Sequence, residues 1–385
     1  MENNFTITTK DPGSRARTGI IHTPHGDVKT PVFNPIGTKG AIKSIAAEEL
    51  RFWGAEMVLA NTYHLWMRPG DALIAKAGGL HKFMNWKGAI FTDSGGFQAF
   101  SLSKLVKLTD QGVTFRSDLD GSLHQLTPEI SMQIQLNLGS DIAVVLDDFP
   151  GFPAAEKDVV DSIERTAVWA RRSKMEHERV VGHTVNPGQQ LWGIIQGSTY
   201  PKLRQRSAQQ IREIGFVGYA IGGVAVGEPE DKMYEAVENS VPYLEEEKPK
   251  HLLGVGTPEQ IVRAVALGCD SFDCVIPTRE ARHGRLYVNL KPGQGDGYIT
   301  LNINNEQFKE DFTPVDNTCN CYCCMNFTRS YVRHLFMTGE PLGIRLATMH
   351  NLRFYLNLMD RIRSSIDTGS FSKIVGTYRH HRQLQ

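Results

Sequence analysis

The chain has 385 residues, with 42 Lys or Arg against 42 Asp or Glu and six cysteines. That balance excludes recognition of a polyanion by net charge alone. No run of about 18 apolar residues offers a membrane span, and the opening Met-Glu-Asn-Asn-Phe-Thr-Ile lacks the basic and apolar blocks of a signal peptide, so a cytoplasmic protein with no membrane partner is expected.

Short apolar, β-branched runs recur along the chain, most leading toward an amphipathic stretch, as parallel strands with crossover helices do. In order they are Pro31 to Pro35, Met57 to Asn61, Ala89 to Asp93, Ile142 to Asp147, Leu191 to Gln196, Tyr219 to Gly223, His251 to Gly254 and Ser271 to Val275. Eight is the closure number of a TIM (β/α)8 barrel, although a doubly wound open sheet has the same alternation. Helix starts are explicit at Thr127-Pro128-Glu129 and Thr257-Pro258-Glu259-Gln260, where a capping Thr precedes Pro at the first helical position. Between Ser101 and Leu126, short alternating runs around Asp110-Gln111-Gly112 and Asp118-Leu119-Asp120-Gly121 predict an antiparallel β insertion after the third strand. From Leu286 to Ile303, Lys-Pro-Gly-Gln-Gly-Asp-Gly separates two β-like segments, which reads as a hairpin. The expected organisation is a barrel over residues 1–285, with the insertion at about 101–126. Residues 286–385 then form the hairpin, a zinc-binding subdomain and C-terminal helices packed on the barrel.

Four of the six cysteines, Cys319, Cys321, Cys323 and Cys324, fall within six consecutive positions, too close to staple a secreted fold. A C-x-C-x-x-C turn supplies three thiolates from one place, and His350, at the start of an expected helix, can close a tetrahedral shell. Cys319, Cys321, Cys324 and His350 are therefore the expected ligands of one structural zinc ion (Zn2+) per subunit, with Cys323 either a spare thiol or a competitor of Cys324. Four protein ligands leave no open position for catalysis. From Cys319 onward there are nine Lys or Arg against three Asp or Glu, either a solvated face or a flank for phosphates.

Barrel enzymes place their working groups at the carboxyl ends of the strands. Those ends carry Asn61, Asp93, Asp147 with Asp148, Gln196, Gly222 with Gly223, Gly254 and Asp273. Asp93, taken alone in Thr-Asp-Ser-Gly-Gly-Phe-Gln, is explained equally well by a cap or an Asx-turn. Asp273 interrupts an apolar strand, where a carboxylate is costly unless paired or employed. Two carboxylates facing one cavity suit double displacement at a sugar anomeric carbon, one as nucleophile and one handling protons. Asp147 and Gln196 would then be free to read a base, one accepting from N–H groups and the other donating to a carbonyl. Glycines at 222, 223 and 254 let a flat ligand approach the backbone.

Together these residues resemble the tRNA-guanine transglycosylase, or queuine tRNA-ribosyltransferase, family of bacterial type. The similarity runs from Pro24-His25-Gly26 through Asn61-Thr62-Tyr63-His64, Thr92-Asp93-Ser94-Gly95-Gly96-Phe97-Gln98, Gly193-Ile194-Ile195-Gln196-Gly197, Gly222-Gly223-Val224-Ala225-Val226-Gly227-Glu228, Gly254-Val255-Gly256, Phe272-Asp273-Cys274-Val275 and Pro277-Thr278-Arg279 to the cysteine cluster. The resemblance implies a TIM barrel with an appended zinc subdomain that exchanges the wobble guanine of tRNAs with GUN anticodons for a deazaguanine, preQ1 or queuine, in queuosine synthesis. It implies Asp273 as nucleophile and Asp93 as general acid/base. Asp93, Ser94, Gly95, Gly96, Phe97, Asp147, Gln196 and Gly223 would form the base pocket. The segments Gly254, Val255, Gly256, Thr257, Pro258, Glu259, Gln260 and Thr278, Arg279, Glu280, Ala281, Arg282 would hold the anticodon loop. A homodimer is implied as well.

Some positions depart from the family pattern. Leu146-Asp147-Asp148-Phe149 stands where bacterial members usually have Phe-Asp-Glu-Cys, and Val224, Leu253 and His283 also differ. Glu228 favours preQ1 as the incoming base, whereas Phe149 and the Asp147-Asp148 pair leave queuine open. A non-catalytic tRNA-binding subunit of the same family would be expected to have lost the nucleophile, which this chain retains.

Overall fold

The computed structural model describes residues 4–102, 106–290 and 297–381. Eight parallel strands close into a barrel: β1 (Val32–Gly37), β2 (Met57–Ala60), β3 (Ala89–Thr92), β4 (Ile142–Val144), β5 (Gln190–Ile195), β6 (Tyr219–Ile221), β7 (Lys250–Leu252) and β8 (Ser271–Cys274). Each overlaps one of the eight expected runs, with β1 reaching two residues past its run and β5 and β7 starting one residue before theirs. Their order around the barrel follows the chain, and β8 returns to β1 with Asp273 beside Asn34. Closure removes both sheet edges, so the alternation belongs to a barrel rather than an open sheet. After β3 a three-stranded antiparallel sheet, Val106–Thr109, Gly112–Arg116 and Leu123–Leu126, forms the expected insertion.

The capping residues act as their sequence suggests. Thr127 Oγ1 accepts from Ile130 N at 3.3 Å with Pro128 behind it. Thr257 and Gln260 form a reciprocal capping box, 3.3 Å and 3.1 Å, that starts the helix Pro258–Ala266.

An N-terminal antiparallel sheet, Phe5–Lys10, Arg17–Thr23 and Gly26–Thr30, is an element the strand pattern did not single out. It is fastened where strands begin. Arg17 forks onto Asp270, just before β8, at 2.8 Å and 2.7 Å, and His25 reaches Asp141, just before β4, at 2.7 Å. Asp141 also accepts from His81 at 3.0 Å and from Ile90 N at 2.7 Å. Against the upward push of burial, the hydrogen bonds from His25 and His81 hold its carboxyl below the ordinary range. Phe5, Ile21 and Val28 of the sheet pack with Met57, Leu59, Phe91 and Val144. The amino ends of the strands are thus covered, and the carboxyl ends remain for a site.

The hairpin Arg285–Asn289 and Tyr298–Asn302 follows β8; residues 291–296 of its glycine-rich turn lie outside the described residues. The long helix Pro341–Asp367 then crosses back over the barrel. Asn351 on this helix donates to the carbonyls of Pro277 and Arg285 at 3.1 Å and 2.9 Å, and Tyr355 Oη donates to Gly256 O at 2.8 Å. Loops at the ends of β7 and β8 are therefore braced from behind by one helix.

Candidate active site and metal centre

A cavity of about 260 Å³ opens at the carboxyl ends of the strands, lined by Asp93, Asp147 and Asp273 among the residues that follow β3, β4, β6, β7 and β8. Its described lining contains no Lys or Arg. Asp93 leaves β3 and is held from β2: Asn61 donates to Oδ2 at 2.5 Å, and Thr62 N donates to Oδ1 at 2.8 Å. Burial pushes its pKa up to about 7, and the charges of Asp273 and Asp147 add to the push against the Thr62 and Gly95 amides. Asn61 is positioned in turn by capping its own helix, Oδ1 accepting from His64 N at 3.0 Å.

Asp147 presents both oxygens to neighbours. Ser94 Oγ donates to Oδ1 at 2.9 Å and Gln196 Nε2 to Oδ2 at 2.6 Å. Burial, with Asp148 adjacent, raises its pKa to about 6. Gln196 Oε1 is buried and has no hydrogen-bond partner among the described residues. Asp148 turns away from the cavity: Arg165 grips its carboxylate, and its backbone carbonyl accepts from Ser162 at 2.6 Å and Thr166 at 3.1 Å. Phe149 does line the cavity, its ring parallel to that of Phe97 with centroids 5.7 Å apart. Phe97 is 48% exposed, so it has a free aromatic surface.

Gly223 requires glycine: its φ is +59°, and an added Cβ would stand 2.2 Å from Gln196 Oε1. Behind it, Arg204 is wholly buried and donates to the carbonyls of Gly222 and Gly223 at 2.7 Å and 2.8 Å. Burial lowers its pKa to about 9. Farther along, Glu228 accepts from Ala225 N and Val226 N at 2.5 Å and 2.9 Å, holding Ala225 at φ +58°. Asp273 Oδ1 accepts from Gly254 N at 3.1 Å and meets His251 Nε2 at 3.0 Å. Arg204 and His251 were not among the expected site residues.

The two segments expected to face RNA meet at a second cavity of about 320 Å³, which includes Thr257, Glu259, Arg279, Glu280 and Arg285. Gly254 lines the first cavity. Val255, Pro258, Thr278 and Ala281 are buried in packing, Gly256 lies against Cys274, and Gln260 serves the capping box. Arg279 and Arg285 are about half exposed, whereas Arg282 folds back onto Thr278 O at 3.0 Å.

In the C-terminal region, Cys319, Cys321, Cys324 and His350 are buried, with their donor atoms all within 4.8 Å of one another. His350 Nε2 donates to Tyr287 O at 2.6 Å, which turns Nδ1 toward Cys324 Sγ at 3.3 Å and Cys321 Sγ at 3.7 Å. Fixing the far ring nitrogen on a carbonyl is how a metal-binding imidazole is oriented. Three sulfurs and one such nitrogen fit a tetrahedral metal site. Cys323 is buried outside this set, in the surrounding apolar core.

The family model described as queuine tRNA-ribosyltransferase matches residues 11–383. Proteins named queuine tRNA-ribosyltransferase from Pelotomaculum thermopropionicum and Halothermothrix orenii are 48% and 49% identical, over 96% and 95% of this chain and 96% and 94% of their own. A third, from Symbiobacterium thermophilum, is 47% identical over 97% of this chain and 90% of its own. With a closed barrel, an acidic cavity at its carboxyl end and a three-cysteine, one-histidine cluster, the chain belongs to the queuine tRNA-ribosyltransferase (tRNA-guanine transglycosylase) family of enzymes.

Proposed function

We propose that the protein exchanges the wobble guanine of tRNAs with GUN anticodons for preQ1, through a covalent ribosyl ester on Asp273. The observation that carries this is the convergence of Asp93 and Asp273 on one cavity whose other wall carries Ser94 and Asp147, hydrogen-bonded to each other, with Gln196 bonded to Asp147 just outside the lining. A loop nucleotide can be turned out of its single strand at modest cost and read on its Watson–Crick edge. Asp147 accepts from the base N–H groups, Gln196 and the Gly223 backbone meet its carbonyl side, and Phe97 stacks on its face.

In the first half, a carboxylate oxygen of Asp273 bonds to ribose C1′ as the C1′–N bond breaks; the electron pair leaves with guanine, which takes a proton from neutral Asp93. In the second half, Asp93 removes the ring N–H proton of the incoming base. The base nitrogen bonds to C1′, and Asp273 departs as a carboxylate. Two inversions give net retention.

PreQ1 is cationic through its aminomethyl group, which suits a cavity with three Asp carboxyls and no described Lys or Arg in its lining. Phe149 adds bulk to the wall, which favours this smaller base over queuine. Arg279 and Arg285 supply positive charge for the loop phosphates. The metal we assign is zinc, in a structural role that holds the hairpin and the long helix together; the protein acts where tRNA and reduced thiols coexist, in the cytoplasm. A surface bearing Tyr322, Met325, Tyr331 and Met337, each at least 40% exposed, supports a homodimer.

The test uses tRNA carrying labelled guanine at the wobble position. Free preQ1 should displace the label, queuine should do so more slowly, and a tRNA with adenine there should be inert. Failure of both bases to release label would remove the substrate assignment. Sedimentation of the same protein should give twice the chain mass.

A further inference from the structure

We propose that His251 is a positioning residue for the nucleophile, one that assigns the two oxygens of Asp273 to different tasks; this rests on the ribosyl-exchange reading above. His251 lies on β7, entirely buried, its ring stacked on Phe91 at 4.5 Å, and it does not line the cavity. It therefore cannot touch substrate directly. Its two ring nitrogens are both engaged: Nδ1 meets Ser271 Oγ at 2.9 Å, and Nε2 meets Asp273 Oδ1 at 3.0 Å.

The neighbours orient the ring so that Nε2 faces a carboxylate oxygen, which needs a donor. Asn34 Nδ2 donates to Ser271 Oγ at 2.9 Å, so the Ser271 hydroxyl proton is free to go to His251 Nδ1. Nε2 then carries a hydrogen and donates it to Asp273 Oδ1, a carboxylate oxygen that can only accept. The relay runs from β1 through β8 to β7, across paired strands whose register sets His251 beside Ser271 and Asp273 beside Asn34.

Oδ1 thus has two donors, His251 Nε2–H and Gly254 N–H, while no described group donates to Oδ2. Oδ2 is the oxygen that bonds to C1′. Once the ester forms, Oδ1 is its carbonyl oxygen; when the C1′–Oδ2 bond breaks, its electron pair returns to the carboxylate, and both donors strengthen as that charge appears. His251 exchanges no proton in either half. Its effect is on the departure of Asp273, and so on breakdown of the covalent intermediate more than on its formation.

Full-length protein with His251→Phe keeps the ring stacked on Phe91 and removes the donor, whereas His251→Gln returns an N–H near the Nε2 position. Denaturing gels after rapid mixing with tRNA, then with excess free guanine, read formation and decay of the adduct separately. Decay in His251→Phe should slow about 30-fold with formation changed much less, and His251→Gln should recover most of it. Ser271→Ala, which loosens the hold on the ring, should slow decay about fivefold and stands in if the Phe variant fails to fold. Wild-type decay in His251→Phe, or in Ser271→Ala if it stands in, would overturn the proposal, as would an equal loss in both steps that His251→Gln does not repair. Asp273→Asn separates the two ideas: an adduct in that variant removes the nucleophile reading itself, whereas its absence alongside unchanged decay in His251→Phe removes the role of His251 alone.

Discussion

Gln196 donates to Asp147 Oδ2 at 2.6 Å while its own Oε1, buried beside Gly223, meets no donor among the described residues. The pair is half satisfied, which is expected of groups that complete their hydrogen bonds on a ligand. Replacing Asp147 by Asn lets the Gln196 amide turn over and accept from the new NH2 group, so the variant should fold well. The sign of its stability change follows from the raised pKa. An unfolded Asp titrates near 4 and this one at about 6, so the folded chain loses its proton later than the unfolded one. The cost of the buried charge is absent below about pH 4, grows through pH 6 and is complete above it. Asp147→Asn should therefore raise Tm by a few degrees at pH 8 and not at pH 4, a difference of about 1–3 kcal/mol, while the KM for free base rises at least tenfold. Thermal melts at the two pH values and base-exchange kinetics check both halves.

In the proposed exchange Asp93 transfers a proton in both directions at neutral pH. With its pKa raised to about 7 by burial, it is mainly a neutral acid below that value and a base above it. Adduct formation, which needs the acid, should fall with rising pH above about 7; adduct breakdown by incoming base, which needs the carboxylate, should fall with acidification below it. Steady-state turnover should then be bell-shaped, and Asp93→Asn should flatten both limbs with a loss of at least a hundredfold. Stopped assays of each half-reaction from pH 5.5 to about 8.5 measure this; parallel slopes in the two halves would contradict a shared group.

Asp93, Asp147 and Gln196 stand out in the chain because each closes an apolar run, and Asp273 because it interrupts one, places where a polar side chain is costly without employment. The strands themselves were legible for the same reason, since a barrel strand buried on both faces is a short unbroken apolar segment. His251 and Arg204 were not. His251 follows Lys250 at the start of β7, where a polar residue ordinarily marks the edge of a strand, and its partners Ser271 and Asp273 are set by register rather than spacing. Arg204 sits in the amphipathic helix Pro201–Ile214, and the groups that employ it are the Gly222 and Gly223 carbonyls, which carry no side-chain signal. The choice between Cys323 and Cys324 likewise depends on which thiol the turn aims at His350.

Arg204→Met keeps an unbranched chain of similar length and removes every donor to the Gly222–Gly223 turn. The carbonyls of Ser198, Gly222 and Gly223 then lose this donor, at about 1–3 kcal/mol for each that is buried. The Gly222–Gly223 turn, whose backbone lines the cavity, should loosen. The expected result is a lower Tm together with a KM for free base raised about tenfold, while tRNA affinity, measured by gel shift at fixed salt, stays within a factor of two. A KM unchanged despite the lower Tm would confine Arg204 to stability.

Geometry separates three of the four clustered cysteines, which converge with His350 on a candidate metal site, from Cys323, and that distinction can be measured. Cys319→Ala removes one of four converging donors, so metal content should fall well below one per chain and Tm should drop with it, because binding free energy at such a site is folding free energy. The hairpin strand Arg285–Asn289 would lose its tether as well, since Tyr287 O accepts from His350 of the same cluster. Cys323→Ala, by contrast, leaves a small void in the apolar core at a cost of about 1–2 kcal/mol and keeps one metal per chain. Elemental analysis of both variants after dialysis against a weak chelator, with Tm recorded on the same samples, decides the matter: retention of full metal in Cys319→Ala, or its loss in Cys323→Ala, would exchange their roles.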